Sequence, residues 1–301
     1  ASVGITFMDE GEQVPNGLLR PLAESLAYFE ELSGRWSGSG NGRIQLNFSP
    51  RFALSCSERT MIDLAERARS NDILLHTHAS ENRKEVEYIQ QRFGLGNVAL
   101  YHKLGMTGPN LCLAHCIWLD DEEIEILADT RTRVLHCPSA NLKLGSGIAN
   151  IPYYLEKNIL CSLGADGPPC NNNLSMFNEM RLAGLIQKPR HGPTSMPAGT
   201  LVDMATIRGA ETMHLENQIG TLEVGKKADL ILLDLKTPHT SPGESVLNQL
   251  VYAAQPENVQ SVIIDGKFVM RDRLVLTIDE EETMARAEEE LQQLLKRAGI
   301  F

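Results

Sequence analysis

The sequence predicts an α/β protein: the C-terminal portion of a TIM-type (β/α)8 barrel, its first strands absent, with a small β domain appended. Three observations lead there. Short apolar runs alternate with amphipathic stretches five times between Ile44 and Gln187, the pattern of parallel strands joined by crossover helices. Polar residues gather directly after those runs, where a barrel builds its site, which favours a barrel over an open doubly wound sheet. After Leu201 the texture changes to short alternating runs broken by glycines, the signature of hairpins. A whole barrel has eight units; five, with Gly4–Phe7 as the end of one more, lead to the expectation of a longer parent protein.

The elements follow in order. Ile44–Phe48 alternates as a strand, and Ser57 is placed to cap a helix whose stripe is Met61, Leu64, Ala65 and Ala68. Ile73–Leu75 is the next strand, with Arg83–Phe93 as its helix and a short apolar run, Val98–Tyr101, after it. Leu111–Ala114 precedes a helix opened by Asp120, with Glu123 three residues on completing a capping box. Val134 and Leu135 begin a strand followed by a short helix, Ile151–Lys157, and Ile159–Leu163 leads into a helix over Leu174–Gln187. Beyond it, Val202–Leu215 reads as helix and Ile219–Asp234 as a hairpin closing into an apolar strand. Val262–Met270 reads as two strands about an Asp265-Gly266 turn. Asp279–Ala298 is a final helix with an acidic start and a basic end. The expected divisions are a barrel segment over 1–215, a β segment over 216–275 and a C-terminal helix over 276–301.

Composition narrows the function. The 301 residues carry 28 Lys+Arg against 39 Asp+Glu, a formal charge of −11, the wrong sign for a general nucleic-acid binder. No apolar run reaches the roughly 18–20 residues of a membrane span. Six cysteines are scattered through apolar segments without a CxxC pair, and they read as core thiols. With no secretory leader pattern in view, the expectation is a cytoplasmic protein acting on a small molecule, with no nucleic-acid or membrane partner and a homodimer by base rate.

The chemistry-bearing residues cluster at strand ends. In Leu74–Glu81, His76 and His78 point the same way along an extended segment, and Glu81 follows three residues after His78. His115 ends the next strand, His136 the one after, and Asp166 follows the last of the series. An ionised Asp near imidazoles can bind a divalent ion and take a proton from water held by it, giving a nucleophile near neutral pH.

The segments PRFALSC, HTHASENRKEVE, LAHCIWLDDEEI, HCPSANLKLGSG, LGADGPPCNNNLSMFNEMRLA and IGTLEVGKKADLILLD, in that order, resemble the amidohydrolase superfamily, in its branch of aminoheterocycle deaminases and triazine hydrolases. The first is most similar to guanine deaminases. The stretch from Asp166 to Gln187 is more like deaminases of S-adenosylhomocysteine, methylthioadenosine and 5′-deoxyadenosine, and like atrazine-type hydrolases. The resemblance implies His78 and Asp166 as metal ligands, Asp166 also as base, and His115 as the histidine that orients or polarises the attacking water. It implies Glu81 as the proton shuttle to the ring nitrogen and leaving amine, Arg51 and Phe52 as substrate contacts, and Asn141 as a wall residue. On this pattern His76 is near the metal without binding it, and His136 orders its loop. The HxH pair that supplies two further ligands in the family is not among these residues.

The resulting expectation is a Zn²⁺-dependent (alternatively Fe²⁺-dependent) hydrolytic deaminase of an amino-substituted N-heterocycle, a purine or modified adenosine. An s-triazine chloro- or aminohydrolase is the alternative, and an inactive fragment or binding scaffold the second.

Overall fold

The structure, a computed structural model, describes residues 1–11 and 14–300. Glu12, Gln13 and Phe301, which fall within the expected divisions, lie outside the described residues. The chain separates into two compact units, Ala1–Glu216 and Asn217–Phe301.

The first unit is built on six parallel strands in chain order: β1 (Ser2–Phe7), β2 (Gln45–Pro50), β3 (Leu75–Ala79), β4 (Leu111–His115), β5 (Arg133–His136) and β6 (Cys161–Leu163). Helices return the chain between them, as the alternation of the sequence requires. Leu75, Thr77 and Ala79 of β3 are buried, while His76 and His78 occupy the other face, in register with Cys112 and Ala114 of β4. The strand therefore begins two residues later than Ile73 and takes in both histidines. Its period-2 alternation runs through polar residues, which an apolarity count cuts short.

The helix Glu58–Asn71 buries Met61, Leu64, Ala65 and Ala68, and the Ser57 hydroxyl accepts from the Thr60 amide at 3.1 Å. Asp9, in the loop after β1, accepts from both the amide and the hydroxyl of Ser57, at 2.8 and 2.6 Å, tying that loop to the helix start. The Asp120–Glu123 capping box forms as expected, opening the helix Asp121–Thr130.

Glu123 does more than the sequence suggested. Its Oε1 accepts from the Val98 amide at 2.8 Å and so caps a second helix, Asn97–Lys103, in the stretch read only as an apolar run. A side chain on Gly96 would collide with the Glu123 carboxyl, so the missing Cβ is what lets the two helices meet there. The helix Leu22–Trp36, absent from the elements expected from the sequence, hides only Ser25 and Phe29 and so offers a weak apolar stripe. Val202–Leu215 divides into the helices Ala198–Ala205 and Ile207–Thr212, broken at Thr206, whose φ of −129° and ψ of −95° are not helical.

The second unit is a four-stranded antiparallel sheet in the order β10-β9-β8-β7, from β7 (Leu230–Leu233), β8 (Val259–Ile264), β9 (Lys267–Arg271) and β10 (Leu274–Val275). Asp265 (φ 51°) and Gly266 (φ 74°) make the tight left-handed turn between β8 and β9. The hairpin expected within Ile219–Asp234 is replaced by turns, with Lys226 and Lys227 amides donating to the Glu223 and Gln218 carbonyls, and only Leu230–Leu233 joins the sheet. Asp279 caps the helix Glu280–Arg297 through the Glu282 amide at 3.0 Å. Among the described residues, no helix is long and apolar enough to cross a membrane.

Candidate active site

The ends of β3, β4 and β6 leave the sheet through backbone that side-chain-bearing residues seldom adopt. Ser80 (φ 51°), His115 (φ 74°), Cys116 (φ 48°) and Asp166 (φ 60°) all lie in the left-handed region. Such strain persists only where the surroundings hold it, and here the Ser80 carbonyl accepts from the Ile117 and Trp118 amides, both at 3.1 Å. The kinks gather His78, Glu81 and His115 at one end of the sheet.

His78 and His115 stack with ring centroids 5.3 Å apart and planes at 30°. The His78 Nδ1 lies 2.7 Å from the Arg51 carbonyl oxygen, which can only accept, so Nδ1 carries the proton and Nε2 keeps its lone pair. Burial, and the neighbouring His115, push the His78 pKa below the usual imidazole value, favouring the neutral ring that a metal requires. His76, one ring along at 6.3 Å, is pushed down to about 4 by burial and by its histidine neighbours, against the pull of Asp166.

His115 is 1% exposed; its Nδ1 donates to Asn141 Oδ1 at 2.8 Å, and its Nε2 faces Glu81 Oε2 at 3.8 Å. Glu81 is 21% exposed and accepts from the Ser146 hydroxyl at 3.3 Å. Asn141 is thus a buried hydrogen-bond partner of His115. Arg51 lies over the Phe52 ring at 5.4 Å, and Phe52 is 6.3 Å from the His78 ring. Both border a cavity of about 650 Å³ shared with Met8, Lys84, Glu85 and Tyr88.

Asp166 Oδ1 accepts from the Gly167 amide at 2.6 Å. Among the described residues, no ion pair joins it to His78. His136 is 0% exposed, neither ring nitrogen has a hydrogen-bond partner among the described residues, and burial lowers its pKa to about 3.

Two buried carboxylates that the sequence reading missed support the site. Glu85 Oε2 accepts from the Glu81 amide at 2.8 Å and its Oε1 from the Asn97 amide group at 2.6 Å. Glu179 accepts from the Ser139 amide at 3.1 Å and from Asn171 at 2.8 Å, while Asn171 also donates to the Ala165 carbonyl at 2.7 Å. Each sits at a helical apolar position, where a lone Glu is the only signal, and its meaning depends on partners far along the chain.

The donor chemistry of His78 and Asp166 fits two positions around a divalent ion, one neutral imidazole with a fixed second nitrogen and one carboxylate. Among the described residues, no group of three or more His, Cys, Asp or Glu is arranged to hold a metal.

The amidohydrolase family model matches residues 5–269. The chain is 40% identical over 288 residues to the 5-methylthioadenosine/S-adenosylhomocysteine deaminase of Moorella thermoacetica, covering 92% of this chain and 67% of that protein. It is 39% identical over 265 residues to the 5′-deoxyadenosine deaminase of Methanosarcina acetivorans, covering 88% of this chain and 61% of that one. Among solved structures, an adenosine deaminase from Xanthomonas campestris with bound zinc superimposes with a TM-score of 0.92 at 29% identity, covering 97% of this chain and 66% of that chain. The chain therefore spans about two thirds of the length of the proteins it matches. With a strand-end histidine and carboxylate site on a parallel α/β sheet and a family match over most of its length, this chain belongs to the amidohydrolase family.

Proposed function

We propose that the protein is a hydrolytic deaminase of an amino-substituted N-heterocycle, a purine or modified adenosine, that releases ammonia. The observation that carries this reading is the Glu81–His115 pair: a partly exposed carboxylate 3.8 Å from a buried imidazole, beside the Nε2 that His78 leaves free. The names of the relatives support the same class of substrate.

A divalent ion, zinc as in the Xanthomonas structure or iron, would be held by His78 and Asp166 and would supply a Lewis acid that makes water nucleophilic near neutral pH. Because an amine is a poor leaving group until protonated, an acid must stand beside the reacting carbon. Glu81 fills that role as a shuttle: it gives its proton to the ring nitrogen, takes up the second proton that the water loses as the carbonyl forms, passes it to the departing amine, and regains a proton from Asp166 at the end of the cycle. Asn141 holds the His115 proton on Nδ1, so Nε2 is a hydrogen-bond acceptor that orients the attacking water. Asp166 takes the first proton that the water gives up. Arg51 and Phe52, which line the cavity, contact the heterocycle, Phe52 against its face and Arg51 at its edge.

The proposal extends to a division of the chain into a barrel segment over 1–215, a β segment over 216–275 and a helix over 276–301, and to a cytoplasmic homodimer. The first test is the metal content of the purified protein with His78→Ala beside it, followed by ammonia release from 5′-substituted adenosines with and without Glu81→Gln. We expect zinc or iron that His78→Ala loses. Glu81→Gln should retain the metal and lower turnover by about 10²–10⁴-fold. Unchanged turnover in Glu81→Gln would refute the assignment, and release of chloride from a chloro-s-triazine would move it to the triazine alternative.

A further inference from the structure

We propose that the Tyr101 hydroxyl is a positioning group that clamps the Arg51–Ala53 turn to His78, and thereby keeps the His78 ring in its Nδ1–H form with Nε2 free. Only the consequence for metal binding rests on the reading of His78 as a ligand.

The need for a clamp comes from the sheet. β2 and β3 share a single register pair, Phe48 with Leu75, and β2 ends at Pro50, which has no amide hydrogen to continue the ladder. The turn that follows must be fixed to β3 in another way. The Arg51 carbonyl collects three donors from β3: His78 Nδ1 at 2.7 Å, the Thr77 hydroxyl at 3.2 Å and the His78 amide at 3.4 Å. Tyr101 closes the arrangement. Its hydroxyl donates to the His78 carbonyl at 2.8 Å and accepts from the Ala53 amide at 3.2 Å.

One oxygen thus bridges the strand that carries His78 and the turn that carries Arg51 and Phe52. Tyr101 and Ala53 are both 0% exposed, and removing the hydroxyl would leave the buried Ala53 amide and the partly buried His78 carbonyl each short of a partner. Burial also pushes the phenol pKa up, so the hydroxyl keeps the proton that it donates. The clamp has a rigid base. Its helix is capped by Glu123 across Gly96, and Asn97 of the same helix is held by Glu85, which also holds the Glu81 amide.

The test compares Tyr101→Phe with Tyr154→Phe, in which an equally buried tyrosine loses a hydroxyl that donates to the Cys116 carbonyl at 2.8 Å. Three quantities are read on the whole chain: amide exchange over residues 51–56 without metal, the neutral tautomer of His78 from long-range nitrogen–proton spectra, and zinc affinity by chelator competition. In Tyr101→Phe we expect exchange at Ala53 to speed up by about tenfold or more. The His78 ring should become a tautomer mixture, and zinc should bind about 10–100-fold more weakly. Tyr154→Phe should lose thermal stability without these changes. An unaltered tautomer and Ala53 exchange in Tyr101→Phe, or equal changes in both variants, would overturn the proposal. If the unaltered protein binds no zinc, exchange and tautomer alone still decide the clamp.

Discussion

His115 Nδ1 and Asn141 Oδ1 stand 2.8 Å apart, joining the end of β4 to the short helix Pro138–Lys143 beneath a layer that leaves both residues 1% exposed. A hydrogen bond in so dry a place decides which ring nitrogen carries the proton. Replacing Asn141 by Ala leaves a buried N–H without an acceptor, at a cost of about 1–3 kcal/mol. We expect that loss in urea unfolding, together with a fall in turnover of about 10–100-fold, as for other partners that orient a site imidazole. Asn141→Asp keeps an acceptor for the ring and should recover part of the stability. Equal losses in both variants would show that shape, not the acceptor, matters at this position.

Glu179 joins two loops that the sequence separates widely. It receives the Ser139 amide at the start of the helix Pro138–Lys143, and it receives Asn171, which itself holds the Ala165 carbonyl next to Asp166. The carboxylate is 0% exposed. Glu179→Ala leaves the Ser139 and Asn171 donors without an acceptor, at about 1–3 kcal/mol for each, and should loosen the Asp166 loop. Glu179→Gln retains one acceptor and should lose less. Proteolysis or hydrogen exchange over residues 164–173 would read the loosening, and a change confined to the global unfolding free energy would argue against a link to Asp166.

Much of this was legible in the sequence. The strands ending at His115 and His136, the Ser57 and Asp120 caps and the Asp265-Gly266 turn all follow from local rules, since each depends on residues within a few positions of one another. Tyr101, Glu85, Glu179 and the role of Asn141 were not legible. Their partners lie 12 positions away in the case of Glu85 and Asn97, 40 for Glu179 and Ser139, and 48 for Tyr101 and Ala53. A polar residue at an apolar helix position looks alike whether it reaches solvent or a distant backbone. The helix Asn97–Lys103 escaped for a similar reason, because the carboxylate that caps it comes from Glu123 on the following helix.

The meeting of those two helices makes a further prediction. A Cβ on Gly96 would stand 2.6 Å from Glu123 Cδ, although the Gly96 backbone itself, at φ −73°, is open to any residue. Gly96→Ala must therefore displace Glu123 from the Val98 amide, and overpacking of this kind costs about 1–3 kcal/mol. The cost is specific to the pair. In a Glu123→Ala background the same change should be nearly free, giving a coupling of about 0.5–3 kcal/mol in a double-mutant cycle. Additive losses would mean that Gly96 is constrained by something else.

His136 ties stability to pH. It is fully buried, its two ring nitrogens have no hydrogen-bond partner among the described residues, and burial together with the nearby His115 brings its pKa down to about 3. In the unfolded chain the same ring titrates near the ordinary imidazole value of about 6.5. Between those two values the unfolded state binds a proton that the native state refuses, so the free energy of unfolding rises with pH. The contribution is full above about pH 6.5 and declines as pH falls toward about 3, at up to about 1.4 kcal/mol per pH unit for this one group. Replacing His136 by Leu removes the titrating ring and exchanges two unsatisfied nitrogens for apolar contact. Urea unfolding at pH 4.5, 5.5 and 6.5 should show a shallower acid limb for His136→Leu than for the unaltered chain, the difference growing toward the acid end. Parallel limbs would mean that His136 is protonated in the native state after all, with its charge met by a buried partner or water.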